Sequence, residues 1–251
     1  MSYSRPIVLS IAGFDPCGGA GVLADVKTFE QHQCLGMAIN TGITNQVEDD
    51  FISVTWMLVD DIIEQIKILT DKYNIDFVKI GIIENLNTLH AVVSFLKDQN
   101  KNITIVWDTV LSASSGFHLI ENIDKIKLKE VLNHVFLITP NTNEVKKLCG
   151  INDETEAANY LSSYCNVLLK GGHSETNKGI DVLFHNASIM KIEKQTSKNI
   201  YPKHGSGCIL SSSITANLAL RNNLETACKK SKEYIETILS SNTNLLSYHV
   251  A

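Results

Sequence analysis

The stretch Ile7-Val8-Leu9-Ser10-Ile11-Ala12-Gly13-Phe14-Asp15-Pro16-Cys17-Gly18-Gly19-Ala20-Gly21 decides the fold. A short β-rich apolar run is stopped by a glycine and opens into a glycine-rich loop, and the same punctuation returns along the chain. Strands are expected at Ile7 to Ala12, Phe77 to Ile80, Ile103 to Trp107, Val135 to Ile138 and Val167 to Leu169. Segments of helical period lie between them. In Asp61 to Lys72, Ile62, Ile66 and Leu69 share a face behind Asp60 or Asp61 as cap; in Asn87 to Leu96, Leu89, Val92, Val93 and Leu96 point inward. This alternation predicts crossover units, hence an α/β fold with a mostly parallel central sheet and helices on its faces. Ile180 to Glu193 departs from the rhythm: two strand-like runs flank His185-Asn186-Ala187-Ser188, which predicts a small antiparallel hairpin. From Ser206 to the C-terminus the chain reads as helical. With no internal repeat, low-complexity tract or proline-rich linker, residues 1–251 read as a single domain.

At 251 residues and 44% hydrophobic content the chain can bury a substantial core. A net charge of −5 without a basic stripe argues against a nucleic-acid partner, though not against a nucleotide held in a local pocket. The run Ile7 to Ala12 is too short, and too soon ended by Gly13, for a signal sequence or a membrane span, so a soluble cytoplasmic protein is expected. The six cysteines, at 17, 34, 149, 165, 208 and 228, show neither CxxC spacing nor zinc-type pairing with histidine. They read as reduced thiols, mostly buried.

The residues just past each strand are more telling than the strands themselves. Gly13 to Gly21 comes after the first, Gly81 after the second and Asp108 after the third; Thr139-Pro140-Asn141-Thr142-Asn143-Glu144 comes after the fourth and Lys170-Gly171-Gly172-His173 after the fifth. In an open parallel sheet these points share the carboxyl edge, where ligands bind. Taken singly, Asp108 caps a turn, Asn141 and Glu144 form an N-cap with its capping-box partner, and Lys170 is a solvated strand end. Jointly they suit phosphate and metal chemistry, with Asp108 and Glu144 holding magnesium and Lys170 facing nucleotide phosphates. Lys203-His204-Gly205-Ser206-Gly207-Cys208, ahead of the apolar run Ile209 to Leu220, adds a flexible loop opening into a helix. Unpaired N–H groups there attract an anion, and the helix dipole is expected to favour the Cys208 thiolate near neutral pH. An ordinary capped helix with a small core cysteine is the alternative.

Several nucleotide and hydrolase signatures are missing: GxxxxGK[ST], GxGxxG and GxSxG. The chain instead resembles the hydroxymethylpyrimidine and phosphomethylpyrimidine kinases of thiamine biosynthesis, in the ribokinase-like superfamily. The resemblance runs through Ala12 to Pro16, Gly18 to Gly21, Ala24 to Thr28, Lys79-Ile80-Gly81, Asp108 to Gly116, Thr139-Pro140-Asn141 with Glu144, Lys170 to His173 and His204 to Cys208. It implies a three-layer ribokinase-like fold, ATP and Mg2+ as cofactors, an aminopyrimidine substrate and a homodimer. It further implies that Cys208 stands where most of the superfamily has a proton-accepting aspartate, with Gly205, Ser206 and Gly207 forming the anion cradle. Gln46 would hydrogen-bond the aminopyrimidine ring, with Gly13, Ile82 and, more weakly, Asp25 around it. Lys170, Asn141 and Glu144 would serve the nucleotide.

The chain departs from that pattern at Phe14 (usually serine), Ile82 (methionine), Thr109-Val110-Leu111 after Asp108 (Pro-Val-Met), Ser206 (threonine) and Val47 to Asp50 after Gln46. The expected activity is ATP-dependent phosphorylation of 4-amino-5-hydroxymethyl-2-methylpyrimidine, with its monophosphate as a second substrate. A pyridoxal or pyridoxine kinase is the nearest alternative, and a non-catalytic nucleotide-binding regulator the alternative of another class. The serine-rich segment Leu111 to Phe117 is read as a lid.

Overall fold

The structure, a computed structural model, describes residues 5–112, 119–120, 122–173, 179–194 and 199–249. The lid segment from residue 113 onward therefore lies outside the described residues. A nine-stranded sheet in the order β3-β2-β1-β4-β5-β6-β7-β8-β9 organises the rest. Its strands are β1 (Ile7–Phe14), β2 (Leu35–Gln46), β3 (Phe51–Trp56), β4 (Phe77–Ile80), β5 (Thr104–Trp107), β6 (Leu137–Ile138), β7 (Asn166–Leu169), β8 (Asp181–His185) and β9 (Ser188–Ile192). Neighbours from β2 through β1, β4, β5 and β6 to β7 pair in parallel. The outer pairs, β2 with β3, β7 with β8 and β8 with β9, are antiparallel.

The helices divide between two apolar cores. α2 (Val59–Lys72), α3 (Leu86–Gln99), α4 (Lys125–Leu132), α5 (Thr142–Cys149) and α6 (Glu154–Leu161) cover one face, and α1 (Gly21–Gln31), α7 (Ser206–Ala219) and α8 (Leu224–Leu239) the other. Alternate strand residues feed each core: Leu9, Ile11, Ile80, Trp107 and Ile138 point to the first, Val8, Phe77, Val106, Leu137 and Leu168 to the second. The result is the three-layer α/β arrangement that the sequence predicts.

Several expectations are corrected locally. Neither Asp60 nor Asp61 caps α2: its N-cap is Leu58, without a side-chain cap, and both acids lie in the first turn, where they favour the helix dipole. The fourth strand pairs only at Leu137 and Ile138. The chain after Ser206 is not continuous helix. Arg221 adopts a positive φ of 64°, and Asn223 starts α8 afresh by accepting the Thr226 N–H at 2.9 Å. Beyond Leu239 the chain runs back without helix, and Lys203 Nζ holds it through the Asn242 carbonyl at 2.6 Å. The hairpin turn is as expected, with Asn186 and Ala187 both at positive φ. All six cysteines are free; Cys34, Cys149 and Cys228 are buried and the other three half-buried.

Candidate phosphoryl-transfer site

Registry brings the strand ends level. Ile11 pairs with Ile80, Ile80 with Trp107, Trp107 with Ile138 and Ile138 with Val167. Period-two alternation then turns Ser10, Lys79, Asp108, Thr139 and Lys170 toward the face covered by α1 and α7. Chain order crosses from one side of β1 to the other, to β2 through α1 and to β4 through α2, so a topological switch point lies between β1 and β4. Gly13 and Ile82 meet there: a Cβ on Gly13 would lie 2.3 Å from Ile82 Cδ1. Thr44 Oγ1 donates to the Phe14 carbonyl at 2.8 Å, and Gln46, half-buried at the end of β2, stands two residues further along that edge.

α7 begins beside this edge. Gly205 is its N-cap at φ 72°, and among the described residues no side chain caps its first-turn N–H groups. A Cβ on Gly205 would lie 2.0 Å from the Gly19 carbonyl oxygen, so the two glycine-rich loops touch backbone to backbone. A Cβ on Gly207 would lie 3.3 Å from Lys170 Nζ and 3.7 Å from Asp108 Oδ2, which places the helix start directly against the sheet's acid and base.

Two lysine–aspartate pairs underlie that start. Lys79 Nζ meets both Asp25 oxygens at 2.8 and 2.9 Å with neither side chain exposed, and Ser10 and Ser212 each donate to Asp25 at 2.6 Å. Lys170 Nζ meets Asp108 Oδ1 at 2.9 Å, with Thr139 and Ser211 donating to Asp108 at 3.0 and 3.2 Å. Burial opposes the charge on each lysine, but the carboxylates outweigh it and hold both pKa values above the ordinary value. Burial likewise works against ionised Asp108, yet Lys170 and Lys79 bring its pKa below the usual range. Ser211 and Ser212 lie three and four residues beyond Cys208, on its face of α7, so both pairs sit beneath the thiol.

Cys208 differs from expectation. Burial pushes its thiol up to about 11; Lys79 and the Gly21 N–H act downward, Asp108 and Asp25 upward. Desolvation thus outweighs Lys79, and the thiol is protonated at neutral pH. Asp25 also differs: its carboxylate has no exposed surface and is saturated by Lys79, Ser10 and Ser212, so it lies under the pocket rather than lining it. Asn141 and Glu144 do form the capping box of α5, Asn141 accepting from the Glu144 N–H at 2.9 Å and Glu144 from the Asn141 N–H at 2.8 Å. Burial raises the Glu144 pKa, an effect Lys170 opposes.

Sequence reasoning passes over Lys79 as a site residue, although a lysine inside Phe77-Val78-Lys79-Ile80 signals a buried, paired charge. Asp15 and His204 sit in the matching motifs without a role of their own; the structure joins them at 3.0 Å.

The sequence pattern of the phosphomethylpyrimidine kinase family matches residues 15–251. A hydroxymethylpyrimidine/phosphomethylpyrimidine kinase from Aquifex aeolicus is 34% identical over 248 residues, covering 95% of this chain and 96% of its own length. The crystal structure of phosphomethylpyrimidine kinase from Clostridium difficile 630 superposes with a TM-score of 0.78 at 29% identity, covering 92% of this chain and 98% of that one. An ADP complex of Bacillus subtilis pyridoxal kinase gives a TM-score of 0.83 at 26% identity, with 98% of both chains covered. Residues, register and relatives agree: this chain belongs to the phosphomethylpyrimidine kinase family.

Proposed function

We propose that the chain, acting as one ribokinase-like domain, transfers the γ-phosphoryl group of ATP to the hydroxymethyl oxygen of 4-amino-5-hydroxymethyl-2-methylpyrimidine, and then phosphorylates the monophosphate. The observation that carries this reading is the uncapped start of α7 set against Asp108 and Lys170, with Cys208 in its first turn. The N–H groups of Ser206, Gly207 and Cys208 provide an anion cradle, and the Lys170 ammonium supplies positive charge from the sheet side. Phosphoryl transfer needs positioning and charge neutralisation above all, and this arrangement supplies both. Cys208 is assigned to the hydroxyl proton, Gln46 to the ring's nitrogen and exocyclic amine, and Gly13 with Ile82 to the apolar wall. Asn141, Glu144 and Lys170 are assigned to the nucleotide side.

Magnesium fits the donor set. Asp108, Thr109, Thr139 and Glu144 offer only oxygen, which suits a hard cation that keeps water and phosphate as its other ligands. Glu144 would hold it, with Asp108, whose oxygens already take Lys170, Thr139 and Ser211, acting through water, and when bound it neutralises phosphate charge. We further assign the protein to the cytoplasm, with no nucleic-acid or membrane partner, as a homodimer. Among the described residues no helix is long and apolar enough to cross a membrane.

The deciding experiment supplies ATP, magnesium and the aminopyrimidine or pyridoxal, alone and in competition, and follows ADP and product by mass spectrometry. Preferred conversion of the aminopyrimidine to mono- and then diphosphate is expected. Preferred phosphorylation of pyridoxal would reassign the substrate, and absence of ADP with both would leave a nucleotide-binding regulator.

A further inference from the structure

Asp15, on the loop after β1, is 1% exposed and ties that loop together by accepting the N–H groups of Cys17, Gly19 and Ala20 at 3.0, 3.1 and 2.8 Å. The Cys17 thiol lies 3.0 Å from the same carboxylate, and His204 Nε2, from the loop before α7, reaches it at 3.0 Å. Burial pushes the Asp15 pKa up, but the His204 and Cys17 hydrogen bonds outweigh it and bring it to about 2. An ionised carboxylate only accepts, so His204 Nε2 carries the proton of this bond. Asp15, Cys17 and His204 also have the composition of a metal site. The backbone donors already fill the carboxylate, however, and burial pushes the Cys17 thiol up to about 11, which disfavours the thiolate a metal needs.

The joined loops are the two halves of the site. Gly19 and Gly205 touch through their backbones, so the β1–α1 loop lies directly against the start of α7. On its far side the His204 loop is strapped by the chain's tail: the His204 N–H donates to the Leu245 carbonyl at 3.0 Å, and Lys203 Nζ holds the Asn242 carbonyl at 2.6 Å.

We propose that His204 is a positioning residue, whose Nε2–H bond to Asp15 clasps the β1–α1 loop to the first turn of α7. Through this clasp the β1–α1 loop holds the Gly205–Cys208 cradle at one phosphoryl position. The proposal rests on the phosphoryl-transfer reading of the site. In this role His204 acts through the loop backbone. Because displacing a reacting group by about 1 Å costs on the order of 10²-fold in rate, releasing the clasp is expected to lower kcat by roughly 10- to 100-fold.

The test compares His204→Ala with His204→Gln, whose amide can restore a donor toward Asp15, on the full chain. Amide hydrogen exchange is read over 15–21 and 204–209, alongside kcat, both KM values and the melting temperature. His204→Ala is expected to speed exchange in both segments and lower kcat with little change in either KM, and His204→Gln to recover both. Unchanged exchange in His204→Ala overturns the clasp, whatever the activity of the wild type. Faster exchange at wild-type kcat, or a kcat loss that the glutamine variant does not recover while its exchange is slow, overturns the positioning role. A wild type that turns over neither substrate refutes the functional reading while the exchange result still judges the clasp.

Discussion

Cys208 is where local and tertiary effects collide. A helix start favours a thiolate, yet burial against the Asp25 and Asp108 carboxylates leaves the thiol at about 11, so the thiol form dominates at pH 7. The shift is upward, so the thiolate population of the free enzyme grows as pH rises toward 11. If that thiolate removes the hydroxyl proton, kcat/KM climbs about tenfold per pH unit from 7 to 10. In Cys208→Asp, already ionised at neutral pH, the climb disappears. Cys208→Ala is expected to lose about 10²-fold or more in kcat while binding nucleotide as before, by equilibrium titration. A flat wild-type profile would mean that Cys208 donates a hydrogen bond rather than accepting the proton. The beneficial neighbour is Lys79, whose charge is sustained by Asp25; removing one member of such a buried pair costs about 3–5 kcal/mol. The sequence showed a lysine in an apolar strand, but its partner lies 54 residues away in sequence and on another element.

Among the elements, α7 and its preceding loop carry the site. Gly205 must hold φ near 72° and pass within contact of Gly19, two demands that only glycine meets. Gly205→Ala is expected to cost roughly 1–3 kcal/mol in a urea melt and to abolish most turnover, because strain and clash fall on the cradle itself. Asn85→Ala is the contrasting case. It removes the Thr88 N–H partner at the start of α3, costs about 1 kcal/mol, and leaves kcat unchanged. The strands that escaped sequence reading are β2 and β3. Gly36, Gly42, Asn40 and Asn45 interrupt the apolar pattern of β2, and β3 is an edge strand with only half-buried and exposed residues. The break between α7 and α8 escaped because Asn222-Asn223 interrupts an otherwise helical run only briefly, although an asparagine there is a cap signal.

At the scale of the whole molecule, the sheet sets two apolar cores back to back and gathers its polar residues at one edge. Both ends expose apolar side chains: Ile189 on β9 at 58%, and Ile43, Val47 and Ile52 along the β2–β3 edge at 49%, 51% and 68%. For the homodimer proposed above, the β2–β3 edge, with three such residues, is the surface to test: Ile52→Lys is expected to shift the sedimentation coefficient from dimer to monomer. A wild-type monomer at micromolar concentration would remove the assignment. The sequence by itself determined the alternation of strands and helices, hence the α/β class. It also placed glycines, Asp108, Asn141, Glu144 and Lys170 just after strands, because periodicity and punctuation are local properties of the chain. Only the tertiary structure decided which of these groups meet and in what charge state. It buried Asp25 beneath the site, raised the Cys208 pKa, paired Lys79 and Lys170 with carboxylates, and joined His204 to Asp15 across 189 positions. Desolvation and long-range pairing depend on the full three-dimensional surroundings of a group, and those surroundings are assembled from segments distant in sequence.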